Sequence, residues 1–274
     1  MNSIQILGSA AAEAIPAIFC NCRVCQEAWK NGGKDFRMRS AYKINDRVRV
    51  DFGPDSVAQD HRFKLHSENI KHLFFTHSHE DHLDPDLLSF RSGGMSHPEN
   101  VLNVYGNIGV VKKVAAAAYP LEDYKIDLHL IKYFEPVELP DEDMTFYPMK
   151  ANHMLTEFPM YFIIRHGTKH IAIISDTGVP EEENWKFMRE HNIRLDCVIA
   201  ECTGLLLDIA RGHMGGEPAI ALKKRMESEG FLNPGASYVI NHFSHNGKLT
   251  HREAEEHFGP YGIQVGYDGM IVEY

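Results

Sequence analysis

Four potential metal ligands lie within six residues of this chain, directly after an apolar run. The apolar residues Leu73–Phe75 predict the end of a buried strand, and His77, His79, Asp81 and His82 follow at once. A strand gives the ligands a rigid origin, and the loop after it can fold around an ion. His77 and His79 suit one ion because they are two residues apart. Asp81 and His82 are adjacent and can turn toward a second ion.

Three further candidates follow other predicted strands. His153 comes shortly after the strand predicted over 144–149, Asp176 ends the run 171–175, and His242 ends the run 238–241. Ligands at the ends of several strands can converge on one rim of a sheet. We therefore predict two ligand sets, with His77, His79, His153 and Asp176 for one ion, and Asp81, His82, Asp176 and His242 for the other.

A centre of this composition predicts metal-dependent hydrolysis. Imidazole nitrogen and carboxylate oxygen suit zinc, manganese or iron, and a carboxylate can bridge two ions. Two divalent ions about 3.5–4 Å apart clamp the attacking and leaving oxygens of a displacement, and bound water with a pKa of about 7 supplies hydroxide at neutral pH.

A second group of candidate ligands lies near the N-terminus. The segment 20–25 places three cysteines within six residues, a spacing that suits tetrahedral structural zinc but needs a fourth ligand. His245, three residues after His242, is the best candidate. The alternative is three reduced cysteines without a metal. The cysteines are Cys20, Cys22 and Cys25.

Length, charge and composition narrow the class of protein. The 274 residues contain no long linker or repeat, so we predict one domain over 1–274. The formal net charge of −10 argues against a broad nucleic-acid footprint, although a metal can still attract a small phosphorylated substrate.

No apolar stretch approaches the roughly 18–20 residues of a membrane span, and the N-terminus lacks the basic region of a signal peptide. We expect a cytoplasmic protein without membrane association, and a homodimer is left open.

Strand-like and helix-like segments alternate along much of the chain. Capping signals predict helices near 85–91, after Pro180, over 217–229 and after Thr250. Strands that come first in runs and are then mixed with helices predict an α/β fold of sheets covered by helices. The predicted strands are 3–7, 46–51, 70–76, 101–105, 144–149, 160–165, 170–175, 196–200, 237–241 and 270–273.

The segment His77-Ser-His-Glu-Asp-His82 resembles the His-x-His-x-Asp-His signature of the metallo-β-lactamase superfamily. Asp51-Phe-Gly53 resembles the earlier Asp-x-Gly element of that family, in which the aspartate supports the metal-binding loop. His153, Asp176 and His242 occur in the family's order for the third histidine, the bridging aspartate and the last histidine. One departure is Pro85, where many members have glycine. The resemblance implies a single-domain αββα sandwich with a two-metal centre.

Further motifs are similar to those of the PhnP-like phosphodiesterases, a group related to the PqqB proteins. These motifs are the three cysteines, the second histidine of Asn-His-Phe-Ser-His245, and the closing Val265-Gly-Tyr-Asp-Gly-Met270. The resemblance implies that the three cysteines and His245 hold a structural zinc. It also implies a role for His213 as proton donor or substrate contact, with Glu201 as a residue that could orient it.

The resemblance implies hydrolysis of a small phosphodiester by hydroxide held between two divalent metals. A cyclic substrate such as 5-phosphoribosyl 1,2-cyclic phosphate is expected, with Asp81, Asp176 and His213 as catalytic residues. Three alternatives remain. A lactone or thioester hydrolase would use the same hydroxide on a carbonyl group, and a tRNA 3′-end endonuclease shares the metal motif. A PqqB-like protein would bind metal without hydrolysing anything.

Overall fold

The strands of this protein form two seven-stranded sheets. The computed structural model describes residues 2–274. The first sheet has the strand order β14, β1, β2, β3, β4, β5, β6, and β3 to β6 run parallel to one another. Its strands are β1 (Ser3–Gly8), β2 (Ala41–Lys43), β3 (Val48–Val50), β4 (His72–Phe74), β5 (Leu102–Gly106), β6 (Ile126–Leu130) and β14 (Ile271–Glu273).

The second sheet has the order β13, β12, β11, β10, β9, β8, β7. Within it β10 to β13 are parallel, and β9 is antiparallel to both β8 and β10. Its strands are β7 (Val137–Leu139), β8 (Met144–Lys150), β9 (Met160–His166), β10 (Lys169–Ile174), β11 (Leu195–Glu201), β12 (Leu232–Asn241) and β13 (Gln264–Val265).

The two sheets pack face to face, and helices cover their outer faces. Between the sheets, the ring of Phe74 stacks on that of Phe146 with centroids 3.7 Å apart. Separate apolar clusters join each sheet to its helices. This arrangement confirms the predicted αββα sandwich. The helices are α1 (Arg23–Asn31), α2 (Ser56–Phe63), α3 (Pro85–Ser89), α4 (Ile108–Ala117), α5 (Glu182–Glu190), α6 (Gly216–Ser228) and α7 (His251–Phe258).

The capping signals lie where the sequence predicts helix starts. The side chain of Asp84 accepts a hydrogen bond from the backbone N–H of Asp86 at 3.1 Å, and Pro85 is the first residue of α3. Thr250 and Glu253 form a reciprocal capping box at the start of α7. The helix predicted after Pro180 begins at Glu182, because Glu181 between them has an extended backbone and serves as the N-cap.

Several elements have no clear signal in the sequence. Strands β2 and β7 have three residues each, too few to show a period of two. Helix α1 begins within the cysteine segment, with Cys22 as its N-cap and Cys25 inside it, so the spacing of metal ligands dominates the pattern there. The strand predicted over 237–241 is only the second half of β12. Helices α2 and α4 and strands β6 and β13 also lie outside the predicted segments.

None of the helices within residues 2–274 combines the length and apolar character of a membrane span. The assignment of residues 1–274 to one domain stays a prediction.

Candidate metal centre

The candidate ligands converge because they follow strands that end at the same edge of their sheets. Strands β3 and β4 are parallel neighbours, so Asp51 and His77 lie beside each other just past their carboxyl ends. In the second sheet β10, β11 and β12 are parallel, so the segments after them also emerge together. Asp176, Glu201 and His242 lie at these three strand ends. Strand β8 runs in the same direction and leads to His153.

Three histidines form the first group. One ring nitrogen each of His77, His79 and His153 lies within 4.8 Å of the others. Nδ1 of His79 is 3.3 Å from Nε2 of His153, and the rings of His77 and His79 have centroids 4.4 Å apart. Their nitrogens therefore face one common point.

Two carboxylates and two histidines form the second group. Asp81, His82, Asp176 and His242 are all buried, and one ligand atom of each lies within 4.8 Å of the others. Oδ1 of Asp176 is 2.9 Å from Nε2 of His242 and 3.2 Å from Nε2 of His82. Oδ2 of Asp81 is also 3.2 Å from Nε2 of His82.

Asp176 also faces the first group, with its other oxygen. Oδ2 lies 3.8 Å from Nε2 of His77 and 3.9 Å from Nε2 of His153. The two oxygens of this carboxylate therefore point toward different groups, the geometry that a bridging ligand needs.

Unpartnered buried nitrogens test whether these residues fit metal ions. Nε2 of His77, His82 and His242 is buried in each case and has no hydrogen bond of acceptable geometry within the described residues. An unpartnered buried polar atom is costly, and a coordinated cation would satisfy all three at once. The donor set of imidazole nitrogen and carboxylate oxygen is one that divalent metals bind. The residues therefore fit the ions that the sequence predicts.

In three of the histidines, Nδ1 has a polar partner on the side of the ring opposite to Nε2. Oδ2 of Asp51 is 2.7 Å from Nδ1 of His82, and the carbonyl of Gly212 accepts from Nδ1 of His153 at 2.8 Å. Oγ1 of Thr76 is 3.1 Å from Nδ1 of His77. A proton held at Nδ1 leaves the Nε2 lone pair free for a metal.

Burial and neighbouring charges shift the pKa values of the centre in opposite directions. Burial lowers the pKa of His77 far below its usual range. Burial also opposes protonation of His242, but the nearby Asp176 carboxylate raises the pKa of His242 to about 10. Despite burial, the neighbouring His242 and His82 lower the pKa of Asp176 well below its usual range. The carboxylate of Asp176 therefore stays ionised and attracts positive charge, which a protonated histidine or a bound cation can supply.

Three strand-end residues adopt left-handed backbone conformations. Asp51 has φ 62°, Asp176 has φ 41° and His242 has φ 62°. Such angles cost residues other than glycine of the order of 1–3 kcal/mol each and cluster at functional sites. Each of these residues directs its side chain into the centre, so the strained backbone angles occur where the side chains of the centre converge.

His213 lies beside both groups. Its ring centroid is 4.7 Å from that of His153, and Nδ1 is 2.8 Å from Oε1 of Glu201. Burial opposes protonation of His213, but the Glu201 carboxylate raises its pKa above the usual value. The structure thus brings His213 to the centre and places Glu201, whose side chain is fully buried, behind it.

Thr203 is a site residue that sequence reasoning missed. Its Oγ1 lies 2.8 Å from Nδ1 of His242 and 3.2 Å from Nδ1 of His213. Thr76 and Gly212 were also missed. For Thr203, the only signal in the sequence is its position two residues after Glu201, a candidate carboxylate at a strand end.

The cysteines form a separate group with His245. One ligand atom of each residue lies within 4.8 Å of the others, and Nδ1 of His245 is 3.4 Å from Sγ of Cys22. Nε2 of His245 is 3.6 Å from Oε1 of Glu13, a carboxylate that can orient the ring. Four ligands of this kind suit tetrahedral zinc. The members are Cys20, Cys22, Cys25 and His245, whereas Cys197 and Cys202 are buried in the core.

Comparisons with known proteins agree on the fold. The model of the beta-lactamase superfamily domain matches residues 46–233. A diphosphatase of the PhnP family is 20% identical, with a TM-score of 0.76 over 100% of this chain and 98% of that one. Zinc-bound PqqB from Methylobacterium extorquens is 17% identical, with a TM-score of 0.76 over 99% and 100%. Human tRNase Z, short form, is 16% identical, with a TM-score of 0.64 over 99% and 98%. No curated protein was found to match the chain by sequence.

Proposed function

The chain belongs to the metallo-β-lactamase superfamily, and on that premise we propose that it is a metal-dependent phosphodiesterase for a small phosphorylated substrate. The observation that carries the proposal is the carboxylate of Asp176, whose two oxygens face two different ligand groups. Two ions held by these groups would be suited to clamping the oxygens of a displacement at phosphorus.

Two divalent ions, zinc, manganese or iron, would when bound activate water at neutral pH and neutralise charge that develops on the phosphoryl oxygens. His77, His79 and His153 would hold one ion. Asp81, His82 and His242 would hold the other, and Asp176 would contact both. Cys20, Cys22, Cys25 and His245 would hold a structural zinc away from the reaction.

His213 would protonate the departing oxygen. A leaving alkoxide needs a proton or a cation, and a positioned side chain contributes typically 10²–10⁴-fold to the rate. The carboxylate of Glu201 at Nδ1 leaves Nε2 of His213 free to act on the substrate. The raised pKa of His213 favours the protonated form that this role needs.

Charge supports a small phosphorylated substrate over a tRNA. The net charge of −10 disfavours a long phosphate backbone. The exposed Arg211 lies two residues before His213, in a loop whose next residue, Gly212, contacts His153. Hydrogen bonds anchor that loop, from the backbone N–H of Val179 to the carbonyl of Ala210 and from His153 to the carbonyl of Gly212. A guanidinium held there would bind a second phosphate, as 5-phosphoribosyl 1,2-cyclic phosphate carries.

Hydrolysis followed by phosphorus NMR tests the proposal. Protein reconstituted with manganese or zinc is incubated with 5-phosphoribosyl 1,2-cyclic phosphate, alongside His213→Ala and the exposed control His61→Ala. We expect ring opening that falls by about 10²-fold or more in His213→Ala and is unchanged in the control.

Absence of turnover with both ions bound would contradict the assignment to phosphodiesters. The same samples are then assayed on a lactone, a thioester and a tRNA precursor. Turnover of one of these would identify the hydrolase class instead, and inactivity on all of them would favour a PqqB-like protein that binds metal without hydrolysis.

A further inference from the structure

Thr203 lies between two histidines of the candidate centre. It follows β11, and its Oγ1 is 2.8 Å from Nδ1 of His242 and 3.2 Å from Nδ1 of His213. The backbone on both sides is tied down. The N–H of Thr203 donates to Oε2 of Glu201 at 2.7 Å, and its carbonyl accepts from the N–H of Ser244 at 3.2 Å.

The positions of the protons on the two histidine rings determine which hydrogen bonds this hydroxyl can accept. Nε2 of His242 is buried in the centre without a hydrogen bond, so a bound cation requires its lone pair and leaves the proton on Nδ1. Nδ1 of His213 also carries one proton, for which Oε1 of Glu201 at 2.8 Å is the nearer acceptor and Oγ1 of Thr203 at 3.2 Å a second one, in a three-centre hydrogen bond. A threonine hydroxyl has two lone pairs, so Oγ1 of Thr203 is able to accept from both rings.

No other described supporting residue has this double contact with His242 and His213. Oδ2 of Asp51 accepts from Nδ1 of His82, and the carbonyl of Gly212 accepts from Nδ1 of His153. Thr203 instead joins a candidate metal ligand to the candidate proton donor. The ring planes of His213 and His242 are only 17° apart, with centroids separated by 5.8 Å, which is consistent with a shared acceptor.

We propose that Thr203 is a positioning residue that orients His242 for its cation and His213 for the substrate through one hydroxyl group. This inference rests on the proposed two-metal centre. Loss of the hydroxyl would weaken the binding of the ion that His242 would hold, and it would misalign His213 at the same time. The other ion, held by His77, His79 and His153, would keep its affinity.

The test compares Thr203→Val, which removes the hydroxyl at nearly constant volume, with Thr203→Ser, which keeps it. Affinities for both active-centre ions are measured by competition with a chelator, in the full chain and without substrate. In Thr203→Val we expect one ion to bind about 10–100-fold more weakly, with the other unchanged, and Thr203→Ser to bind both nearly as the wild type does.

A second measurement reports orientation directly. Nitrogen-15 NMR of histidine-labelled, zinc-loaded protein gives the tautomer of each ring. We expect the Nδ1–H tautomer for His242 and a protonated Nδ1 for His213 in the wild type and in Thr203→Ser, and a changed signal for both in Thr203→Val. At saturating metal, kcat should fall in Thr203→Val with little change in KM.

Two outcomes would overturn the inference. If Thr203→Val binds both ions with wild-type affinity, the hydroxyl has no role in holding His242. Equal losses in the serine and valine variants would show that the hydroxyl is not the cause. A wild type that binds both ions but hydrolyses no phosphodiester would contradict the proposed function alone, and the affinity comparison would still decide the role of Thr203. A wild type that binds no ion in the centre would overturn both.

Discussion

Oδ2 of Asp51 lies 2.7 Å from Nδ1 of His82, and both side chains are fully buried. The same carboxylate accepts hydrogen bonds from the backbone N–H and the hydroxyl of Thr76, at 2.9 and 3.1 Å. Asp51 therefore ties Thr76, the second residue after β4, to a histidine six positions further on. The loop between them is held in the shape that brings its four candidate ligands together.

Asp51→Asn should weaken metal binding without unfolding the protein. The amide keeps an acceptor for Thr76 but removes the charge that orients His82. Removal of such a supporting carboxylate typically costs 10–100-fold in metal affinity, and we expect a loss in this range by chelator competition. Asp46→Asn, at an exposed ion pair with Lys43, is the matched control. Equal affinities in the two variants would contradict the supporting role of Asp51.

Asp176→Ala should empty the two-metal centre and leave the structural zinc in place. The variant removes the carboxylate that faces both groups, so only the ion at the cysteines should remain in metal analysis. Because the ions supply several kcal/mol of transition-state stabilisation, activity should fall by about 10³-fold or more. Retention of both active-centre ions would exclude a bridging role for Asp176.

Cys25→Ala should have the converse effect. Loss of one thiolate should release the structural zinc, and since metal binding contributes folding free energy, the melting temperature should drop by roughly 5–10 °C. Cys197→Ala is the matched control, because Cys197 is equally buried but lies outside the cysteine group. An unchanged zinc content in Cys25→Ala would favour three reduced cysteines without a metal.

His251 should make stability depend on pH. Its Nδ1 accepts from Nη2 of Arg37 at 2.9 Å, and its Nε2 donates to Oε1 of Glu255 at 2.8 Å, so the neutral ring fits this place. Burial and the charge of Arg37 lower its pKa to about 4. Since the unfolded chain has a histidine pKa of about 6.5, this contribution is present above pH 6.5 and is lost as the pH falls toward 4.

The corresponding measurement is the free energy of unfolding between pH 4.5 and 7.5, for the wild type and for His251→Gln, which does not titrate. Metal release at low pH affects both proteins equally, so the difference between them reports His251. We expect the wild type to lose of the order of 2–3 kcal/mol more than the variant on acidification. Parallel pH profiles would show that His251 is not held neutral.

Arg211→Ala should raise KM only for substrates with a second phosphate. A charge-assisted hydrogen bond to that group is worth about 1.5–3 kcal/mol, which corresponds to roughly 10–100-fold in KM. Bis-p-nitrophenyl phosphate lacks the group and should be hydrolysed as by the wild type. Arg252→Ala, at an exposed arginine on α7, is the control. Equal effects on both substrates would contradict a contact with the second phosphate.

The sequence by itself determined which residues gather in the centre. His77, His79, Asp81 and His82 lie so close together after one strand that hardly any fold could separate them. His153, Asp176 and His242 were predictable because each follows a recognisable buried strand. The long strands show their apolar pattern locally, which predicted an α/β fold of sheets covered by helices, and the resemblance to the metallo-β-lactamase superfamily implied the αββα arrangement.

Only the tertiary structure decided the contacts that depend on distant parts of the chain. Thr203 meets His242 because β11 and β12 are parallel neighbours, and Gly212 meets His153 through a loop more than fifty residues away. The bridging geometry of Asp176 also depends on a left-handed backbone angle that no residue type signals. A sequence pattern records the chemistry and local period of side chains, whereas the partner of a given atom is set by how the two sheets pack.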